Sequence, residues 1–381
     1  MLKFFSKKLV KQGFPYFFQK KCMIFHLAFT NICNQQCPYC TEGNFSESKI
    51  ICEPTKKEDI LGAIDKIFKA YDESWELGFI LVGGEPTMQD CFIDTVNKIK
   101  TRKNAYMVLT TNFTKSVEYY KELDIPLITS MHLEFHEPKN WLKKTLQLKD
   151  LILETRIMAH PNKMDKVKEA YELFSNASKE HNLSFSVEKI DPVCIEGQNG
   201  ILLEYIPDYK NEDIEWIKNH LTTRNYNPPS DKLKAKSGFL GSIFYSAVWY
   251  YNNGEEKLLQ MKENSYKNWY CDRNFIFMYG DGKINYGWNC QGSCHNIFKE
   301  DKFPKKELNP IICDKDVCTM NFGMLFPKYK SIKYAPSFHK KSELIKCRLN
   351  CIFLKFKVYK KAKILIEKMK KLQRFYQMVE N

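Results

Sequence analysis

No stretch of this 381-residue chain approaches the roughly 20 consecutive apolar residues that cross a bilayer, so no segment reads as a membrane-spanning helix. Residues 1–21 are not expected to act as a secretory signal either, because Lys7, Lys8 and Lys11 interrupt any apolar run there. No internal repeat is visible, and the one compositionally biased tract is lysine-rich and C-terminal. These absences predict a globular cytoplasmic protein. Its 44% hydrophobic content is ordinary, and its length suits one large domain or two. Acidic residues are absent from residues 1–22, which hold six lysines. They are scarce in 339–381, where thirteen Lys and Arg meet three Glu. The net charge of +14 therefore sits at the two ends, and the stretch between them carries −2. That placement argues against a nucleic-acid footprint over the whole protein. It fits a local contact of the ends with anionic lipid, nucleic acid or an acidic partner.

What the chain does have is cysteine, fourteen of them. Disulfides are disfavoured in a reducing compartment, so clustered cysteines point to metal. Cys33, Cys37 and Cys40 are spaced C-x3-C-x2-C, directly after an apolar run, Met23–Phe29, that predicts a strand. Iron–sulfur clusters are held by cysteine thiolates, normally four for a cubane. Three thiolates on one loop leave one iron open, and an open metal position is where a reactant binds. The same three also suit a zinc site completed by Cys22, Cys52 or His26. The scattered Cys22, Cys52, Cys91 and Cys194 read as small apolar core fillers.

Hydrophobic periodicity organises the next 170 or so residues. Helices are expected at Thr55–Tyr71, Phe92–Ile99, Val117–Leu123, Trp141–Leu153 and Met164–His181. Strands are expected at Phe79–Val82, Ala105–Thr110, Leu127–Leu133, Thr155–Ala159 and Ser184–Ile190. With the strand before the cysteines, that is six strands alternating with helices. The fold class is therefore α/β, a partial (β/α)6 TIM-like barrel, open because six units fall short of eight. Functional residues then belong at the C-terminal ends of the strands. Cys33–Cys40, Gly83–Thr87, Thr110–Asn112 and Ser130–Glu134 all fall there.

These residues together resemble the radical S-adenosylmethionine (SAM) superfamily. The resemblance covers roughly residues 23–191. It is carried by Cys33, Cys37 and Cys40, by Tyr39, by Gly83-Gly84-Glu85-Pro86 after the second strand, by Thr110-Thr111-Asn112 after the third and by Ser130 on the fourth. It implies a [4Fe–4S] cluster whose fourth iron is chelated by SAM, and reductive cleavage of SAM to a 5′-deoxyadenosyl radical that abstracts hydrogen from a C–H bond. It implies that the backbone and carboxylate of Gly83–Pro86 hold the SAM amino group, that Tyr39 lies beside adenine, that Ser130 touches SAM and that Asn112 belongs to the same site. Thr110 would face the substrate, and Arg156 on the fifth strand would pair with the SAM carboxylate.

A second cysteine set follows. Phe275–Tyr286 reads as a hairpin turning at Gly280-Asp281-Gly282, flanked by Cys271 and Cys290. Cys294 follows, and Cys313 and Cys318 form a C-x4-C. This resembles the auxiliary-cluster module, SPASM or the shorter twitch, that follows many cores of this superfamily. The resemblance implies an auxiliary [4Fe–4S] cluster on Cys271, Cys290, Cys313 and Cys318. A structural zinc knuckle is the alternative. Cys347 and Cys351 suit either a ligand pair or packing. Val358, Ala362, Leu365, Met369, Leu372, Tyr376 and Val379 form one stripe of a basic terminal helix. Such a helix either docks on the body or lies at an anionic membrane or partner.

The expected organisation is a basic N-terminal segment (1–22), the core (23–191), a connecting region of loops and short strands (192–262), the Cys-rich module (263–335) and the basic helix (336–381). The expected function is a radical SAM oxidoreductase or maturase acting on a peptide, or on a sugar, lipid-linked glycan or other small molecule. Flavodoxin or ferredoxin would supply electrons, and the basic ends would allow peripheral contact with the inner face of the membrane. The alternative is a non-catalytic zinc protein that contacts nucleic acid or membrane through those ends.

Overall fold

The computed structural model describes residues 11–12, 19–28, 30–40, 55–190, 193–196, 202–221, 230–252, 268–286, 295–304, 311–313 and 328–329. Strand β2 (Cys22–Ala28) is buried along nearly its whole length, as expected where both faces of a parallel sheet are covered. It is followed in chain order by α1 (Lys57–Ala70), β3 (Glu76–Val82), α2 (Phe92–Lys100), β4 (Ala105–Thr111), α3 (Val117–Leu123), β5 (Leu127–His132), α4 (Pro138–Gln147), β6 (Ile152–Ala159), α5 (Met164–His181) and β7 (Phe185–Lys189). The six strands β2 to β7 pair in sequence order, all parallel. The α/β partial barrel read from the sequence is the fold observed.

Three further strands extend this sheet on the β2 side. β11 (Phe275–Tyr279) runs parallel to β2, with Phe275 opposite Ile24 and Tyr279 opposite Ala28. β12 (Lys283–Tyr286) and β13 (His295–Asn296) follow it antiparallel. The expected hairpin is present, and its first strand is the seventh parallel strand of the core sheet. A separate small sheet joins β1 (Lys11–Gln12), β15 (Lys328–Tyr329), β10 (Tyr270–Cys271) and β14 (Ile311–Ile312), in that order.

The two faces of the main sheet pack differently. Met23, Phe25, Leu27, Phe79, Leu81, Met107 and Leu109 point outward into a core completed by α1 to α5. The alternate residues Ile24, Ile80, Val108 and Ile128 point inward, as the two-residue period of a strand requires. Their partner is a helix absent from the sequence reading. Within the region expected to hold only loops and short strands lie the pair β8 (Val193–Glu196) and β9 (Leu202–Tyr205) and two helices, α6 (Asn211–Leu221) and α7 (Asp231–Asn252). Leu233, Phe239, Leu240 and Ile243 of α7 fill the inner face against those strand residues, with Leu153, Phe275 and Phe277. α7 bends at Gly238, whose φ of +52° favours glycine and where a Cβ would collide with the Tyr106 ring. The proline and asparagine punctuation around it, and that interior glycine, hide it from a periodicity count.

The other correction concerns the helix expected over Trp141–Leu153. It begins earlier, at Pro138, and ends at Gln147. Ile152 and Leu153 belong to β6, which starts three residues before Thr155. The leucines from 142 to 153 keep helical spacing, but parallel pairing of Leu127 with Ile152 claims the end of that run. No described helix is long and apolar enough to cross a membrane. The basic C-terminal stripe lies outside the described residues.

Because α7 rests on the N-terminal parts of the strands, the interior is solid there. Gly78 of β3 makes this possible: a Cβ at that position would lie 2.6 Å from Leu240 Cδ2. Gly78→Val is expected to lower the unfolding free energy by about 1–3 kcal/mol through overpacking. Urea denaturation of the metal-free protein measures it.

Candidate functional site

The C-terminal ends of the strands carry the polar side chains. Three loops meet there, and a buried carboxylate joins two of them. Glu85 is fully buried just after β3. Its Oε1 accepts from the Thr87 amide (3.2 Å), the Thr87 hydroxyl (2.7 Å) and the Thr111 hydroxyl (2.9 Å). Its Oε2 accepts from the Asn112 amide (2.8 Å) and lies 3.0 Å from Thr111 Oγ1. Burial pushes its pKa up, opposed by these hydrogen bonds. The carboxylate expected to meet a ligand amine is thus engaged within the protein, tying the end of β3 to the end of β4.

The two glycines before it serve the same assembly. Gly83 has φ +95°, and a Cβ there would sit 2.6 Å from the Thr30 carbonyl oxygen. A Cβ on Gly84 would overlap the carbonyl of Ile32, whose oxygen accepts from the Glu85 amide at 2.9 Å. Thr30–Ile32 is the entry to the cysteine loop. The close approach that requires glycine is therefore to this chain's own backbone, leading into Cys33.

The cysteine loop then crosses the sheet. Cys33 Sγ receives the Gln35 amide at 3.4 Å and Asn112 Nδ2 at 3.5 Å. Asn112 also donates to Asn34 Oδ1 (2.6 Å), and Asn34 donates to Thr114 (2.9 Å). The structure thus places Asn112 against the cysteine loop. A turn closes the loop, with the Cys40 amide donating to Cys37 carbonyl oxygen at 3.1 Å. Cys37 Sγ lies 3.5 Å from Nδ1 of His132 at the end of β5. The same nitrogen lies 2.9 Å from the hydroxyl of buried Tyr39. The Tyr39 ring also neighbours His160 (5.6 Å between centroids) and Tyr205 (5.7 Å).

Below the loop, the inward side chains of β5, β6 and β7 form a polar row. Ser130 is opposite Arg156, and Arg156 is opposite Ser186. Arg156 Nε lies 3.0 Å from Glu154 Oε2, so its guanidinium is committed to a neighbour on its own strand. Thr110 is half-buried on β4, opposite Ile128. Glu134, just past β5, has both carboxylate oxygens buried with no hydrogen-bond partner among the described residues. The His160 ring nitrogen Nε2 is 3.9 Å away. His132 and Glu134 lie in the Ser130–Glu134 segment expected at the strand ends but had no individual role there, and His160 was not singled out. For His132 a signal existed, since it stands two residues beyond Ser130 and shares its face.

The donor set can be tested against a cluster. Cys33, Cys37 and Cys40 are partly exposed, and none is in a disulfide. Burial raises the thiol pKa values of Cys33 and Cys37. For Cys37 the negative charges of Cys40, Glu134 and Cys33 raise it further. Bare thiolates at Cys33 and Cys37 are therefore unfavourable here, and a cationic metal centre would offset that cost. The Gln35 amide of the loop and the Asn112 side chain after β4 both donate to the Cys33 sulfur, which suits a cluster's thiolate. Among the described residues, no three His, Cys, Asp or Glu side chains gather as one metal ion would need. A four-iron cluster instead takes each thiolate at a separate iron.

The second cysteine set is half described. Cys271 of β10 is opposite Ile311 of β14, and the Cys313 amide donates to the Trp269 carbonyl at 2.8 Å. Cys271 and Cys313 thus occupy diagonal positions of one antiparallel ladder, about 7–8 Å apart by sheet geometry. Cys290, Cys294, Cys318, Cys347, Cys351 and Cys52 lie outside the described residues.

The family model described as the radical SAM superfamily matches residues 27–219, half of the chain. Among solved structures, Streptococcus suis SuiB bound to S-adenosylmethionine aligns over 74% of this chain at 13% identity, with a TM-score of 0.44. The alignment spans 64% of the SuiB chain. SuiB bound to its precursor peptide SuiA aligns over the same shares at 13% identity and a TM-score of 0.43. Native anSMEcpe with bound AdoMet aligns over 79% of this chain and 80% of its own, at 13% identity and a TM-score of 0.42. No curated protein matches the chain.

Replacing Glu85 with Ala strands the Thr87, Thr111 and Asn112 donors in a dry site. Each unsatisfied buried group costs about 1–3 kcal/mol. A combined loss of ~3–5 kcal/mol is expected in urea unfolding of the metal-free protein, before any cofactor is present.

Proposed function

The chain belongs to the radical SAM superfamily and is an enzyme, and from that premise we propose that Cys33, Cys37 and Cys40 hold a [4Fe–4S] cluster whose fourth iron is left for SAM. When bound, the cluster and SAM supply one-electron reductive cleavage and hydrogen abstraction from an unactivated C–H bond. The observation that carries this reading is the junction of the cysteine loop with the ends of β3 and β4. Gly83, Gly84 and Glu85 fix where the three thiols stand over the polar half of the interior.

The remaining roles follow position by position. The backbone of Gly83–Pro86 holds the methionine end of SAM, while the Glu85 carboxylate keeps that backbone in shape. Tyr39 lies beside the adenine. Ser130 offers SAM a hydroxyl, Asn112 steadies the loop, and Thr110 faces the substrate. Arg156 serves the SAM carboxylate with the guanidinium nitrogens that do not face Glu154. α7 closes the far end of the interior and excludes water from below. The substrate therefore reaches the reacting atoms from the C-terminal rim of the strands. The substrate class is a peptide, or a sugar or lipid-linked small molecule. Electrons come from a flavodoxin- or ferredoxin-type donor. The basic tail serves a peripheral membrane contact.

An auxiliary [4Fe–4S] cluster on Cys271, Cys290, Cys313 and Cys318 completes the proposal. What supports it is the placement of Cys271 and Cys313 on adjacent strands, beside the hairpin whose first strand pairs with β2.

Anaerobic reconstitution tests the reading. About eight irons per chain are expected if both clusters assemble, with 5′-deoxyadenosine formed on adding SAM and a reductant. Replacing Cys33, Cys37 and Cys40 with Ala should abolish that product. Uptake of zinc without SAM cleavage would sink the proposal. Separately, Cys271→Ala with Cys313→Ala should roughly halve the iron while SAM cleavage persists. Unchanged iron would remove the auxiliary cluster from the account.

A further inference from the structure

His132, the last residue of β5, belongs to neither of the hydrophobic clusters that pack the sheet. The strand's outward face is closed by Leu127 and Met131, while His132 points the other way, toward the cysteine loop. Its Nδ1 stands 3.5 Å from Cys37 Sγ and 2.9 Å from the Tyr39 hydroxyl, and its ring lies nearly parallel to the Tyr39 ring at 5.9 Å. One ring nitrogen thus faces two partners from the same short segment of the loop.

The proton on that nitrogen can be assigned from charge. A thiol can donate, but a metal-bound thiolate can only accept. Once Cys37 is a thiolate, a lone pair on Nδ1 would face a lone pair on sulfur, and the tautomer with hydrogen on Nδ1 is favoured. That N–H is then shared between Cys37 Sγ and the Tyr39 oxygen. On the neighbouring strand end, Asn112 Nδ2 stands at the same distance from Cys33 Sγ.

We infer that His132 is a positioning residue that donates a hydrogen bond from Nδ1 to the Cys37 sulfur, so raising the reduction potential of the cluster. The inference rests on the proposed cluster at Cys33, Cys37 and Cys40. Its physical basis is that reduction adds negative charge to the cluster, and part of that charge falls on the sulfurs. A donor aimed at a sulfur stabilises the reduced form more than the oxidised one. His132 would thereby help set how strong an electron donor the enzyme needs. The same bond holds Tyr39 at the edge of the proposed SAM site.

The test is an EPR-monitored redox titration of the reconstituted protein without SAM, so no turnover enters the readout. Iron content is measured first, on protein in which Cys271→Ala and Cys313→Ala remove the second signal. A parent that takes up no cluster overturns the proposed cluster site itself. With the cluster present, His132→Phe is expected to lower the reduced-to-oxidised ratio at a fixed potential by severalfold. A tenfold change corresponds to ~59 mV for a one-electron couple. His132→Asn keeps an N–H near the same place and is expected to restore most of the parent value. A His132→Phe cluster that titrates with the parent overturns the inference, as does an Asn variant that falls as far as Phe. If the Phe variant takes up no iron, His132→Leu decides: a lowered ratio supports the inference, and the parent's ratio overturns it.

Discussion

The Glu85 carboxylate is the point on which this site depends. A charged group at that depth loses its hydration, and only a full set of donors makes its burial tolerable. Thr87, Thr111 and Asn112 supply that set from two different strand ends. The consequence is positional. β3 and β4 cannot separate at their C-terminal ends without exposing or stranding the carboxylate, and Asn112 is fixed where its side chain reaches Cys33. The glycines before Glu85 add a second constraint. They let the β3 turn press on the backbone of Thr30–Ile32, so the start of the cysteine loop is held from below as well as from the side. Three thiols on a flexible loop would have to be ordered by the metal. Here the surrounding strands order them beforehand, which lowers the conformational cost of assembling the site.

The sheet divides into a half that holds the fold and a half that holds the chemistry. Toward the N-terminal ends of the strands the interior is closed by apolar side chains of α7. Toward the C-terminal ends, the same inward positions carry Thr110, Ser130, His132, Arg156 and Glu188. The switch occurs within single strands: on β5, Ile128 packs on the apolar side, and Ser130 and His132 follow at two-residue steps. β11 adds a link across the molecule. It pairs with β2, whose end leads into the cysteine loop, and it lies four residues after Cys271. Cys271 itself belongs to the small sheet and stands before the N-terminal end of β11, whereas the Cys33–Cys40 loop follows the C-terminal end of the parallel β2.

Much of this was legible in the sequence because the core obeys local rules. Strict alternation of strands and helices, with short loops, gave the six parallel strands and placed Cys33–Cys40, Gly83–Thr87 and Thr110–Asn112 on one side of the sheet. What was not legible depended on distant partners. The helix run past Gln147 was wrong because pairing with β5 overrides the helical spacing of Leu148 to Leu153. α7 was invisible because its apolar side is defined by the sheet interior and its course bends at Gly238. The Gly83-Gly84-Glu85 segment was recognised, but the contacts its glycines and carboxylate make within the chain were not. Their close neighbours, Thr30–Ile32 and Asn112, come from other loops. Arg156 looked available on sequence grounds, and Glu154 proved to be its partner.

The central claim is that a preassembled junction of three loops presents three thiolates and leaves one iron of a cluster for SAM. A crystal structure of the anaerobically reconstituted protein with SAM tests it most directly. The account predicts a cubane bound by Cys33, Cys37 and Cys40 alone, SAM on its fourth iron against the backbone of Gly83–Gly84, and Glu85 still turned toward Thr111 and Asn112. A fourth protein ligand closing the cluster, or Glu85 rotated out to bind the cofactor, would contradict it.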